Sequence, residues 1–167
     1  ETMIGEAVAS AHAAYRKHRH ATRAQRAAWL HLLADTLEKH AATFAELICE
    51  DVGKPLRVAR FEAGRGAAFA RACAAAALQL GGEVVPVDAA AQGAGHFGFT
   101  KHVPYGVVAA ITPFNATINL LVQKLAPALA SGNAVVAKPA PAGTRVAIAL
   151  AQTLSNAGLP AGLFNVI

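Results

Sequence analysis

Two polar residues stand where apolar runs break, and both have side chains that can hold a ligand. Asn115 lies in the turn Thr112-Pro113-Phe114-Asn115, directly after the run Val107–Ile111. Lys138 ends a second run, which starts at Ala134, and Pro139 and Pro141 follow it. An asparagine amide donates a hydrogen bond without gaining or losing a proton, which suits a developing oxyanion. A lysine ammonium can pair with an anion or bond to a hydroxyl. Each residue also has a plain structural reading: Asn115 as a helix cap, Lys138 as an exposed strand end.

Other reactive side chains make weaker patterns. Cys49 and Cys73 lie in helical stretches and match no nucleophile motif, so they read as free, buried thiols. His12, His18 and His20 lack metal-ligand spacing, and with Arg16, Lys17 and Arg19 they form a basic helix end. No metal site is expected. The pair Gly53-Lys54 lacks the upstream glycine and following Ser or Thr of a phosphate loop.

Charge is divided along the chain. All ten acids lie between Glu1 and Asp88, whereas Ala89 to Ile167 holds only Lys101, Lys124, Lys138 and Arg145. The second half therefore offers no carboxylate for acid–base chemistry or a hard metal, and a mildly positive face to an anionic ligand. Four scattered cations with no aromatic platform do not make a nucleic-acid footprint. At 54% hydrophobic and 15% charged residues the chain folds rather than staying disordered. No apolar run reaches the ~18 residues of a membrane span uninterrupted. No signal peptide opens the chain, so the cytoplasm is the expected location. The opening Glu1 and the apolar end Phe164–Ile167 lead us to expect further sequence on both sides.

The elements that must position these residues follow from periodicity. Ile4, Val8, Ala11 and Tyr15 predict a helix over residues 3–20. Thr22 is a candidate N-cap for one long helix to about Val52, ended by Gly53 and Pro55. Residues 56–80 predict an alanine-rich helix on which Phe61, Phe69 and Leu78 face partners. Glu62, among Arg57, Arg60 and Arg65, reads as part of a surface charge pattern there. Residues 83–106 read as a loop and a short antiparallel ribbon, with Phe97, Phe99, Lys101 and Val103 alternating on an exposed strand. Val107–Ile111 and Ala134–Ala137 read as strands buried on both faces. The helix between them starts near Ile118, capped by Asn115 or Thr117, and Pro127 is expected to kink it. Thr144 is expected to cap a helix from Arg145, and Leu163 to Ile167 to form a third strand.

This order is β–α–β–α–β, so the fold class is α/β with a parallel, Rossmann-like sheet. Three parts are expected: residues 1–82 as N-terminal helices of a cofactor-binding domain, 83–106 as an oligomerisation ribbon, and 107–167 as the sheet. Ligands of such sheets bind beyond the strands' carboxyl ends, where Asn115 and Lys138 lie. The N-terminus of the intervening helix points at the same edge and would favour an anion.

The run PYGVVAAITPFN, followed by KLAPALASGNAVVAKPA and AGLPAGLFNVI, resembles the aldehyde dehydrogenase superfamily. RAAWLHLLADTLEKH and DVGKP are similar to that family's N-terminal helices, so the resemblance covers nearly the whole chain. It implies NAD- or NADP-dependent oxidation of an aldehyde to an acid through a cysteine-bound thiohemiacetal. Asn115 matches the family's oxyanion donor. Ile111, Thr112, Pro113 and Phe114 match the segment along the cofactor, and Lys138, with Ala140 and Pro141, matches the adenosine-ribose contact. Lys124 matches a lysine on the following helix, catalytic or structural. Dimers or tetramers built through the ribbon are implied as well.

Departures from the family pattern carry information. NAD-preferring members often have Glu three residues after the lysine, where this chain has Pro141; the 2′-phosphate of NADP would meet no repulsion there. Ala116 replaces an aromatic residue that lines the family's substrate passage. The nucleophilic cysteine and general-base glutamate are implied to lie beyond Ile167, with the catalytic domain absent, so these 167 residues alone are expected to be inactive. The competing readings are a non-catalytic nucleotide-binding or assembly module and a related acyl-phosphate reductase.

Overall fold

A computed structural model describes residues 2–167. Four helices come first: α1 (Thr2–His18), α2 (Arg23–Lys39), α3 (Ala41–Val52) and α4 (Leu56–Gln79). A short ribbon pairs β1 (Val84–Val85) with β2 (Gly98–Phe99), antiparallel. The remainder runs β3 (Val107–Ile111), α5 (Thr117–Ala130), β4 (Ala134–Lys138), α6 (Thr144–Ala157) and β5 (Phe164–Val166). β3, β4 and β5 form one parallel sheet in that order, with Val107 opposite Ala134 and Val135 opposite Phe164. The expected β–α–β–α–β order is present.

Consecutive strands joined by right-handed crossovers put α5 and α6 on one face of the sheet. α1 packs across all three strands, and its Ala11 and Ala14 are buried. α4 packs on α2 and α5, and α3 on α4 and α6, forming an outer helical layer. The core is a continuous cluster from Leu30, Leu33 and Leu37 of α2 through Ile118, Leu121 and Leu125 of α5 to the strands. Alanine at six buried positions of α4, Ala59 to Ala77, lets that helix lie close to its neighbours.

Several expectations need correction. The long helix from Thr22 is two helices. Its start has a full capping box with Gln25, but His40 leaves helical geometry at φ −108°. The break sacrifices little hydrogen bonding, because the His40 N–H donates to the Thr36 carbonyl and its own carbonyl accepts from Phe44. Hence neither Gly nor Pro marks it. β3 is only partly buried, with Ala109 and Ile111 exposed, because it is the edge strand of the described sheet; β4, in the centre, is buried up to Lys138. The ribbon strand stops at Phe99, since two strands with no third gain little from extension. On α4, Phe69 packs against the core as expected, whereas Phe61 and Leu78 are exposed and face no partner among the described residues.

The largest correction concerns Glu62. It is buried, at 5% exposure, and is no part of a surface charge pattern.

Candidate functional site

The site is built where β3 and β4 end side by side. Ile111 pairs with Lys138 in the register, and the Thr112 N–H donates to the Lys138 carbonyl at 3.2 Å. Two chain segments leave this edge together. One carries Ile111, Pro113, Phe114 and Asn115, all exposed, with Thr112 buried beneath them. The other carries exposed Lys138, half-buried Ala140 and exposed Pro141. The sequence-predicted residues Ile111–Asn115 and Lys138–Pro141 thus share one edge.

Contacts from other elements hold the two segments. Gly143, at φ 101°, packs on the first residue of α5, and a Cβ there would lie 2.0 Å from Thr117 Cγ2. Only glycine fits that conformation and that approach. The Asn115 turn is held from α4 and from the residues that lead into it. Lys54 Nζ donates to the Asn115 backbone carbonyl at 2.6 Å and to Glu62 Oε2. Glu62 Oε1 accepts the Ile118 N–H at 2.9 Å. One ion pair, buried at Glu62 and half-buried at Lys54, therefore grips the turn at its carbonyl and the helix at its first turn.

This arrangement corrects the capping expectation. Neither Asn115 nor Thr117 caps α5; its N-cap residue is Ala116, without a side-chain bond. Glu62 does that work from 56 residues away, and the Thr117 hydroxyl is buried with no hydrogen-bond partner. Thr144 is likewise no cap: it lies inside α6 and donates its hydroxyl to the Ala140 carbonyl at 2.9 Å. Asp51 of α3 accepts the Arg145 N–H at 3.1 Å instead. Both helix starts at this edge already face a carboxylate, so α5's N-terminus is not the open anion site that the sequence led us to expect.

Lys124 stands apart. It is exposed on α5, seven residues past Thr117 and so roughly 10 Å along the axis. Cys49 and Cys73 lie on α3 and α4, half-buried, and burial pushes the Cys73 thiol up, away from a reactive thiolate. Sequence reasoning missed Lys54, Glu62 and Asp51. One signal pointed to them: a half-chain without acids must take any carboxylate cap for its helices from the other half.

A cavity of about 230 Å³ opens beside the turn, between α4 and α5, and Asn115 and Ala116 belong to its wall. A larger one, about 490 Å³, lies away from this edge, between the start of α2 and the segment after β2. Among the described residues no group of three or more potential ligands could hold a metal ion. No described helix is long and apolar enough to cross a membrane.

The Aldehyde dehydrogenase family model matches residues 1–167. A 3-sulfolactaldehyde dehydrogenase of Priestia aryabhattai is 46% identical over 134 residues, covering 80% of this chain and 28% of the relative. The NADP-dependent glyceraldehyde-3-phosphate dehydrogenase of Bacillus halodurans C-125, complexed with NADP, superposes with a TM-score of 0.91 at 36% identity, covering 98% of this chain and 35% of that one. PnpE in complex with nicotinamide adenine dinucleotide superposes at 0.92 and 32% identity, covering 98% and 33%; the same protein is known from Pseudomonas sp. WBC-3. The chain thus spans about a third of the length of the relatives it matches. With a family match along its full length and a shared sheet edge, the chain belongs to the aldehyde dehydrogenase family.

Proposed function

We propose that this chain forms the cofactor-side part of an NAD(P)-dependent aldehyde dehydrogenase, with the nucleophilic cysteine supplied by sequence outside these 167 residues. The observation that carries this reading is the Asn115 turn, pinned by Lys54 and Glu62 beside the Lys138 strand end. Asn115 donates its side-chain amide to the oxygen of the reacting aldehyde as that oxygen takes on charge. Because its backbone carbonyl is already held, little reorganisation accompanies the donation.

The edge fits a nicotinamide dinucleotide. Ile111 and Phe114 are exposed apolar side chains beyond the strand end, and Lys138 is an exposed cation next to them. When bound, the dinucleotide accepts a hydride from the substrate carbon. Ile111 to Phe114 would lie along it, Lys138 would bond the ribose hydroxyls or a 2′-phosphate, and Ala140 and Pro141 would flank it. Related structures hold NAD in one case and NADP in the other. Pro141 places no carboxylate against a 2′-phosphate, so NADP is accepted. Lys124, two turns away on an exposed face of α5, would serve either catalytic support or the structure around the turn.

The β1–β2 ribbon leaves its outer edges unpaired and exposes Phe97 and Phe99, as an assembly surface for a homodimer or homotetramer would.

The test uses the full-length enzyme that carries this chain, with an aldehyde and either cofactor, following the absorbance of the reduced cofactor. Asn115→Ala should lower kcat by ~10²–10³-fold. Competitive titration should show NADP+ binding no weaker than NAD+. Unchanged kcat in Asn115→Ala would overturn the oxyanion assignment, and strong preference for NAD+ the reading of Pro141.

A further inference from the structure

The amino ends of β3 and β4 gather cations that no acid balances. β3 is five residues long, so this end of the sheet lies roughly 16 Å from the Asn115 edge. Two cavities open there, of about 490 and 470 Å³. Arg26, Lys101 and His102 stand in the walls of both, with Arg23 beside the larger and Arg19 beside the smaller. Ser131 and Asn133, which lead into β4, complete the larger wall. No Asp or Glu borders either cavity, and among the described residues no salt bridge reaches these cations. Glu83, which follows wall residue Gly82, is exposed and lies outside both walls.

These cations are also short of partners. The Arg26 guanidinium is half-buried; its Nη1 donates to the Ala130 carbonyl at 3.1 Å, while its buried Nε has no hydrogen-bond partner. Buried polar groups are nearly always bonded, so this one is an exception that a ligand would explain. Burial, with Arg23 nearby, pushes the Arg26 pKa down, so its surroundings resist its charge. Arg23 opens α2 and Arg26 closes its first turn, where no acid offsets them and the helix dipole disfavours cations. The neutral side chains of the wall are already engaged. Asn133 accepts the Gly106 N–H and donates to the Ala128 carbonyl, and Thr100 accepts the Glu83 N–H. What this wall offers a ligand is therefore positive charge.

We propose that this wall binds a small, multiply charged phosphate anion, with Arg23 and Arg26 of α2 and Lys101 of the segment after β2 supplying the counter-charge. A guanidinium presents parallel donors to phosphate oxygens, and an ammonium adds a compact point charge. Three permanent cations are more than one carboxylate would balance, which favours an anion of the pyrophosphate type. The larger cavity also falls within the ~300–1,000 Å³ of small-molecule pockets. The bound anion joins the start of α2 to the chain that enters β3. It sits at the opposite strand end from Ile111–Asn115 and Lys138, so it does not compete with a dinucleotide there. Because it binds the folded chain, it stabilises the enzyme.

The test titrates sodium pyrophosphate calorimetrically into the full-length enzyme that carries this chain, with ionic strength held constant by sodium chloride. Wild-type enzyme should bind with a dissociation constant below about 1 mM, and a higher salt concentration should weaken the binding. Arg23→Gln combined with Lys101→Gln should weaken it by at least about tenfold. Both residues are exposed, so the unfolding midpoint without the anion should stay unchanged or rise as cation repulsion is relieved. Lys101→Gln alone, outside α2, should weaken binding by about threefold. Enzyme saturated with its dinucleotide should bind pyrophosphate as well as the free enzyme does. Failure of the wild-type enzyme to bind, binding that neither variant weakens, or binding that the dinucleotide abolishes overturns the proposal.

Discussion

The helical layer and the parallel sheet divide the electrostatics of this molecule unequally. Residues 1–88 carry every Asp and Glu, and the segment from β3 to β5 carries none. The sheet half nevertheless depends on two of those acids. Glu62 bonds the first turn of α5 and Asp51 the first turn of α6. The two contacts differ in depth: Glu62 is buried and pairs with half-buried Lys54, whereas Asp51 sits in an exposed contact. One layer thus presents a sheet edge free of its own negative charge, and the other fixes that edge in place.

That contrast can be broken by substitution, with effects graded by burial. Glu62→Ala removes the buried partner and leaves half-buried Lys54 and the Ile118 N–H without their acceptor. It should lower stability by about 2–3 kcal/mol, read as a shift of the denaturant midpoint. Gly143→Ala forces a side chain into a positive-φ position against Thr117. A loss on the order of 2 kcal/mol is expected by the same measurement. Asp51→Ala deletes a cap at the exposed start of α6, and about 1 kcal/mol should be lost. Arg71, which bonds Asp35 and Glu38 on the exposed side of the helical layer, is the opposite extreme. Arg71→Met should leave the midpoint within experimental scatter, because solvent screens such pairs. A large loss from Arg71→Met, or none from Glu62→Ala, would reverse the contrast.

What the sequence disclosed follows the range of the interactions involved. The β–α–β–α–β order was legible because its punctuation is local: Pro113 ends one strand, Pro139 another, and Gly158 closes α6 at φ 101°. Gly53 likewise closes α3 in the left-handed conformation. The edge holding Asn115 and Lys138 followed from strand order alone. The bracket did not, because Lys54 and Asn115 are 61 residues apart and nothing in a helical pattern marks Glu62 as buried. Its neighbours Arg57, Arg60 and Arg65 are exposed, which made the helix look like a solvated face. The division of α2 from α3 was hidden for a different reason: His40 keeps its hydrogen bonds, so no breaker residue is needed.

The oxyanion role proposed for Asn115 rests on the claim that the helical layer fixes the start of α5 through Glu62. Amide hydrogen exchange at Ile118 tests that claim most directly, since this N–H donates to Glu62 rather than within the helix. Wild-type protein should show a protected Ile118 amide. Glu62→Ala should speed its exchange by at least about tenfold while Asp51→Ala leaves it unchanged. Unaltered protection of Ile118 in Glu62→Ala would contradict the account.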